Sequence, residues 1–180
     1  DTEGASYGWD VVKNSWSGAQ YDLPAKDDPA PRVPAQGWIT SEAATAVFKA
    51  AGQDLGKLRD AANKRGFKPV ALDATLALDL KSTTVEKSSR NVVGLLPGSE
   101  TPDEAIVYMA HWDHLGTHEG ETGGDNIYNG AIDNATGVAG ILEIAESFRK
   151  AKVPPKRSIL FLAVTLEESG LLGSKYYVAH

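Results

Sequence analysis

The sequence has no cysteine among its 180 residues, which excludes several kinds of site at once. Disulfide scaffolds, thiol nucleophiles, iron–sulfur clusters and cysteine-ligated zinc all need cysteine. A metal would therefore have to be held by histidine, aspartate or glutamate. Basic residues are also in deficit, with 18 Lys and Arg against 24 Asp and Glu, a formal charge of −6. This charge argues against a nucleic-acid partner, because such proteins usually present a basic face.

Long apolar runs are absent as well. The most apolar stretch covers only residues 158–166, whereas roughly 20 residues are needed to cross a bilayer, so the sequence predicts no membrane partner. The chain opens with Asp1 and Thr2, without an initiating Met or an apolar signal segment. We therefore expect its natural start to have been removed by processing or truncation.

The first third of the chain predicts a small lobe that contains loops and helices. Residues 1–37 hold four prolines and little periodicity, which is typical of loops. Thr40 or Ser41 can cap a helix that runs to about Ala51, and Asp54 can cap a second helix that ends before Gly66. We assign residues 1–69 to this lobe and a connector.

The rest of the chain predicts an α/β fold with a mixed, largely parallel sheet and helices on both faces. Helices are predicted over 136–150 and 170–178, and strands over 70–80, 91–96, 105–110 and 158–165. Pro97-Gly98 indicates a turn that links the second and third of these strands as a hairpin. A helix lies between the last two strands, and this crossover predicts that they are parallel.

Polar residues follow two of these predicted strands. His111-Trp112-Asp113-His114 comes directly after the strand over 105–110, and Glu167-Glu168 follows the strand over 158–165. Asp133 lies in the segment 130–137, at the start of the next helix. Because ligand sites form at the carboxyl ends of strands in open α/β sheets, these groups could converge. One imidazole with three carboxylates suits zinc or manganese when thiolates are absent.

The neighbouring residues have assignable roles around such a metal. Asp113 could accept a hydrogen bond from the second ring nitrogen of His111 and so fix its orientation. Adjacent side chains diverge, so one of Glu167 and Glu168 would bind the metal and the other would serve as a base toward water. Each feature alone has a simpler explanation: a surface His–Asp pair, acidic residues at a helix start, or Asp133 in a turn. Their occurrence together, each at the end of an element, favours the metal site.

The same motifs resemble a known family. The segments 110–116, 130–137 and 167–177 closely resemble the M28-type zinc aminopeptidases, which are grouped with glutamate carboxypeptidase, glutaminyl cyclase and the transferrin receptor ectodomain. The resemblance covers residues 88–180 and implies that residues 70–180 are the N-terminal half of a metallopeptidase catalytic domain, an incomplete zinc-peptidase-like sandwich. Upstream, the Trp- and Pro-rich stretch resembles part of the protease-associated lobe of that family.

The resemblance implies a role for each candidate residue. His111 would bind one Zn²⁺, Asp133 would bridge both ions, and Glu168 would bind the other. Glu167 would be the general base and Asp113 the partner of His111, and the bond from Asp133 to Asn134 is often cis. The family also needs an Asp and a His from further downstream. Because the chain stops at His180, we expect the dizinc site to be incomplete here and this segment alone to be inactive, unless a C-terminal segment or second chain complements it.

The activity implied is hydrolysis of the N-terminal peptide bond of peptides by metal-activated water, in a secreted or periplasmic enzyme whose substrate has a free N-terminus. Alternatives from the same resemblance are a carboxypeptidase-like enzyme and a single-zinc glutaminyl cyclase. A third is a non-catalytic binding module that retains the fold. The spacing of His111 and Asp133, and Asn134 after it, favour the aminopeptidase. The retention of both Glu167 and Glu168 weighs against a module without catalysis. His114 and His118 receive no role, and a surface position is favoured for both.

Overall fold

The computed structural model describes residues 8–15, 18–117 and 124–180. The chain divides into two compact units. The first comprises residues 1–20 and 31–85, and the second comprises residues 21–30 and 86–180. The assignment of residues 1–69 to a protease-associated lobe and of 70–180 to a catalytic half remains a prediction.

The described residues of the first unit form three helices: α1 (Trp9–Ser15), α2 (Ser41–Ala50) and α3 (Leu55–Ala62). The two predicted helices are confirmed together with their caps. The Thr40 hydroxyl accepts a hydrogen bond from the Ala43 backbone N–H at 3.1 Å, and the Asp54 carboxylate accepts one from the Lys57 N–H at 3.0 Å. These side chains satisfy amides that have no partner within the helix. Helix α1 lies in the stretch over residues 1–37 that the sequence predicted to be rich in loops.

The strand predicted over residues 70–80 is wrong. Among the described residues, none of the segment 68–91 forms a strand, and most of its alternating apolar side chains are exposed, Leu76 at 81% and Leu80 at 71%. Alternation indicates which side chains would share a face, but a strand also needs a neighbouring strand to pair with. The described part of the first unit provides no such neighbour.

The second unit is built on a three-stranded mixed sheet of β1 (Val92–Leu96), β2 (Thr101–His111) and β5 (Arg157–Val164). Strand β5 lies in the middle, antiparallel to β1 and parallel to β2. The predicted parallel pair is therefore confirmed. The predicted hairpin between β1 and β2 is wrong, because β5 inserts between them. The side chains of β5 are mostly buried and apolar. This composition suits the central position, because a central strand is paired at both edges and covered by the rest of the fold.

Helix α4 (Thr136–Lys150) is the crossover between β2 and β5, and helix α5 (Leu172–Ala179) follows β5. Phe148 of α4 packs on Tyr108 of β2 and Phe161 of β5, with ring centroids 6.3 and 6.4 Å away. Ile159 of β5 is 1% exposed and lies at the centre of the core. Burying such aromatic and aliphatic surface is the main force that holds the helix on the sheet.

Two short strands, β3 (Gly116–Thr117) and β4 (Ile127–Tyr128), form a separate antiparallel pair. The structure thus confirms an α/β fold with a mixed sheet and helices, while a sandwich with helices on both faces stays a prediction. In the described parts of the chain, no helix has the length and apolar character required to span a membrane.

Candidate metal centre

The candidate centre lies where the parallel strands β2 and β5 end at the same edge of the sheet. His111, the last residue of β2, is in register with Val164, the last residue of β5. The Trp112 N–H continues the ladder by donating to the Val164 carbonyl at 3.0 Å. Parallel pairing therefore brings His111 and the residues after it next to the turn that carries Glu167 and Glu168, as the sequence predicted.

Asp133 reaches this edge through the turn before α4. Residues Ala131–Ala135 form a π-type turn in which Asp133 departs from helical backbone angles, and the peptide bond from Asp133 to Asn134 is cis, as the resemblance implied. The Asn134 side-chain oxygen accepts the Gly137 N–H at 2.9 Å, which caps the start of α4. The Asp133 carboxylate then lies 2.9 Å from Nε2 of His111.

Glu167 and Glu168 are carried by a tightly packed turn between β5 and α5. The Gly173 N–H donates to the Thr165 carbonyl at 3.0 Å. The side chain of Asn91 joins the same two residues: its amide donates to the Gly173 carbonyl at 2.8 Å and its oxygen accepts the Thr165 N–H at 3.1 Å. A Cβ on Gly173 would overlap Thr165. Glycine is therefore required where helix and strand approach each other this closely.

His111 is buried and has an acceptor at each ring nitrogen. Nδ1 lies 3.0 Å from the Asp113 carbonyl oxygen, while Nε2 faces Asp133 at 2.9 Å and Glu167 at 3.8 Å. Burial acts to lower the pKa of His111, but the bond to the Asp113 carbonyl and the charges of Glu167, Asp133 and Asp113 together raise it above 6.5. Donation from Nδ1 to a carbonyl leaves Nε2 of neutral His111 with a free lone pair, as a metal ligand requires.

Asp113 contacts His111 differently from the prediction. The hydrogen bond from Nδ1 goes to its backbone carbonyl, whereas its carboxylate lies 3.8 Å from Nδ1. The carboxylate instead accepts the Glu167 N–H, at 3.2 Å to the nearer oxygen. The Glu167 N–H, and not Nδ1 of His111, donates to this carboxylate because the start of the turn that carries Glu167 lies against the Asp113 side chain. Asp113 therefore orients His111 through its main chain and Glu167 through its side chain.

The two glutamates also depart from the prediction, because adjacent side chains do not diverge here. His111, Glu167 and Glu168 each offer one ligand atom, and these three atoms lie within 4.8 Å of one another. Leu166, directly before them, has a positive φ of 54°. The two residues therefore sit in an irregular turn rather than in a strand, where successive side chains point to opposite faces. Both carboxylates can reach one site.

His114, for which the sequence predicted no role, is part of the same cluster. Its Nδ1 lies 2.8 Å from Oε1 of Glu168, and ligand atoms of His114, Asp133 and Glu168 form a second group within 4.8 Å. Its position three residues after His111, beyond the end of a strand, was the available signal. His118 lies outside the described residues.

The donor set fits zinc. Imidazole nitrogen and carboxylate oxygen are its usual ligands where cysteine is absent. Two overlapping groups of three donors, joined through Glu168, offer room for one or two ions. Nε2 of His111 and the carboxylates of Asp133 and Glu168 are the predicted ligands that the structure brings to this edge of the sheet. An α/β sheet edge with two imidazoles and three clustered carboxylates is what a metal-dependent enzyme would need.

Comparison with known proteins places the chain in a family. Residues 91–180 match Peptidase family M28, and because the match covers half of the chain, the chain belongs to that family. It is similar to a "Probable zinc metalloprotease" of Pyrenophora teres f. teres (strain 0-1), with 42% identity over 84 residues, 47% of this chain and 17% of that protein.

Two further relatives have more specific names. Aminopeptidase YwaD of Bacillus subtilis (strain 168) is 35% identical over 104 residues, 57% of this chain and 20% of the relative. A Glutamate carboxypeptidase 2 homolog of Caenorhabditis elegans is 33% identical over 107 residues, 57% of this chain and 12% of the relative. The chain therefore spans about a fifth or less of the length of these curated relatives.

Proposed function

We propose that this chain carries part of the active site of a dizinc aminopeptidase that removes N-terminal residues from peptides. The observation that carries the proposal is the convergence of His111, Asp133, Glu167 and Glu168 at the edge where β2 and β5 end. Membership of Peptidase family M28 and relatives named as zinc metalloprotease and aminopeptidase support it.

Three residues would hold the metals. His111 would bind one ion through Nε2, Asp133 would bridge the two, and Glu168 would bind the other. Bound zinc would supply Lewis acidity, which polarises a peptide carbonyl and lowers the pKa of water. One Asp and one His from outside these 180 residues would complete the ligand set, from a C-terminal segment or a second chain. We therefore expect the present residues alone to bind zinc weakly and to have little activity.

Glu167 would act as the general base. Its side chain is 34% exposed, so a water molecule can reach it, and its carboxylate lies 3.8 Å from Nε2 of His111. The Glu167 N–H is held by the Asp113 carboxylate, which fixes the main chain from which this side chain extends. Glu167 would take a proton from the attacking water and transfer it to the departing amine, a role that needs a carboxylate within hydrogen-bonding reach of both.

The substrate would be a peptide with a free α-ammonium group. The formal charge of −6 suits a cationic end. Secretion or export to the periplasm is proposed from the family resemblance.

The proposal is tested by the hydrolysis of aminoacyl-nitroanilides by the full-length protein, before and after treatment with a chelator. We expect turnover that the chelator abolishes, that added zinc restores, and that is lost when the substrate amine is acetylated. Glu167→Gln should lower kcat by about 10²- to 10⁴-fold while leaving zinc bound, because it removes a base without removing a predicted ligand. Glu146→Gln is the matched control, since this carboxylate pairs with Lys150 on the surface of α4.

Three outcomes would contradict the proposal. Turnover that resists the chelator would exclude a metallopeptidase. Absence of turnover in a protein that binds zinc would favour a binding module. Faster hydrolysis of the acetylated substrate would exclude an aminopeptidase.

A further inference from the structure

The pair formed by His114 and Glu168 has no counterpart in the proposed mechanism. Nδ1 of His114 and Oε1 of Glu168 are 2.8 Å apart, which is the length of a strong, charge-assisted hydrogen bond. The two side chains are 22% and 23% exposed, so the pair is partly shielded from water. A partly shielded bond is worth more than one on an open surface, because the surrounding dielectric is lower.

The His114 ring is held in place from two sides. On one side, the ring of Tyr128 in β4 meets it edge-on, with centroids 6.4 Å apart and planes at 73°. On the other, Gly130 approaches so closely that an added Cβ would lie 2.9 Å from Cβ of His114 and 3.1 Å from its Cγ. Gly130 itself has a positive φ of 64°. The ring is therefore placed by backbone and aromatic contacts that do not depend on the carboxylate.

The position of Glu168, in contrast, depends on few other contacts. It follows Glu167 in an irregular turn, and among the described residues the only hydrogen bond of its carboxylate is the one with His114. A carboxylate on a flexible side chain loses rotamer freedom when it binds a metal, so a fixed partner makes its affinity higher. The fixed ring of His114 can provide this partner.

We propose that His114 is a positioning residue, which donates a hydrogen bond from Nδ1 to Oε1 of Glu168 and so orients this carboxylate toward the metal centre. The inference rests on the proposed function, since it takes Glu168 to be a metal ligand. The two histidines would thus have different roles: His111 would bind the metal directly through Nε2, whereas His114 would orient the carboxylate of Glu168 that binds it.

Two substitutions separate positioning from direct ligation. Asn places its side-chain amide nitrogen close to where His has Nδ1, so His114→Asn keeps a donor toward Glu168 but loses the imidazole that zinc prefers. His114→Ala removes both. The matched control is His180→Ala, because His180 also pairs with a carboxylate, that of Asp27 at 3.4 Å, away from the cluster.

The measured quantity is the dissociation constant for zinc of the full-length protein, obtained by competition with a chromogenic chelator. We expect His114→Ala to weaken binding by about 10- to 100-fold, His114→Asn to stay within about threefold of the wild type, and His180→Ala to leave it unchanged. His114→Ala within about twofold of the wild type would overturn the inference. His114→Asn as weak as His114→Ala would also overturn it, because the imidazole would then be a ligand itself.

A second measurement separates a failure of this inference from a failure of the proposed function. In the metal-free protein, ¹⁵N–¹H correlation spectra of the histidine rings report which nitrogen of His114 carries the proton. We expect the Nδ1–H form, with a proton shift that moves when Glu168→Gln is introduced. If the wild type binds no zinc, the proposed function fails, and the spectra alone decide on the hydrogen bond. A neutral His114 protonated at Nε2 would refute it directly.

Discussion

Gly173 provides a stringent test of how the glutamate turn is built. A Cβ at this position would lie 2.7 Å from Oδ1 of Asn91 and 2.8 Å from the backbone N of Thr165, and would overlap the Thr165 carbonyl oxygen. Two of these atoms belong to the main chain of Thr165, directly after β5, which cannot rotate away as a side chain can. Gly173→Ala therefore forces the start of α5 away from the end of β5.

The expected cost follows from these contacts. Overpacking of this kind destabilises by about 1–3 kcal/mol, and loss of the bond from the Gly173 N–H to the Thr165 carbonyl adds about 1 kcal/mol. The higher helix propensity of alanine returns at most about 1 kcal/mol. We therefore expect a net decrease of about 1–3 kcal/mol in the free energy of unfolding. Because the same turn carries Glu167 and Glu168, zinc affinity should decrease as well.

Urea denaturation followed by circular dichroism measures this change, and Gly140→Ala is the matched control. Gly140 also lies in a helix, but an added Cβ there would meet nothing within 4 Å. The control should be neutral, or up to about 1 kcal/mol more stable. Equal stability of the two variants would refute the close packing of α5 on β5.

Three further predictions concern residues around the centre. Asn134→Ala should lower the free energy of unfolding by about 0.5–2 kcal/mol, because it removes the cap on the Gly137 N–H, whereas Asn134→Asp should retain most of it, as urea denaturation would show. Asp113→Ala should lower the pKa of His111, because it removes a negative charge near the ring. It should also lower the free energy of unfolding, because the Glu167 N–H loses its acceptor. An unchanged NMR titration of His111 would contradict the first effect. In the metal-free protein, the pKa of His111 is higher in the folded state than in the unfolded state, where it is 6.5. Protonation of His111 therefore stabilises the fold fully below pH 6.5, and this contribution is lost as the pH rises through the pKa of the folded state. The stability difference between the wild type and His111→Gln should then shrink as the pH rises above 6.5, and a difference that grows would contradict the assigned environment.

Helices and the buried strand could be predicted from the sequence because their signals are local. Thr40 and Asp54 cap α2 and α3 as expected, and the apolar run of β5 is buried as expected. The convergence of His111 with Glu167 followed from a topological rule: strands joined by a helix are parallel and end at the same edge.

What could not be predicted depends on contacts between residues far apart in the sequence. The pattern over residues 70–80 predicts a strand, but no local signal says whether a neighbouring strand exists. The insertion of β5 between β1 and β2 is likewise set by long-range pairing. His114 enters the centre only because Tyr128 of β4, Gly130 and the turn that carries Glu168 surround it, and none of these is adjacent to it in the sequence.

We expect His111, Asp133 and Glu168 to hold zinc where β2 and β5 end. Anomalous diffraction at the zinc edge, from crystals of the zinc-loaded full-length protein, tests it most directly. We expect a peak about 2.0–2.2 Å from Nε2 of His111 and from an oxygen of Asp133, with Glu168 binding the same or an adjacent ion. A zinc peak elsewhere on the protein, with these three side chains uncoordinated, would contradict it.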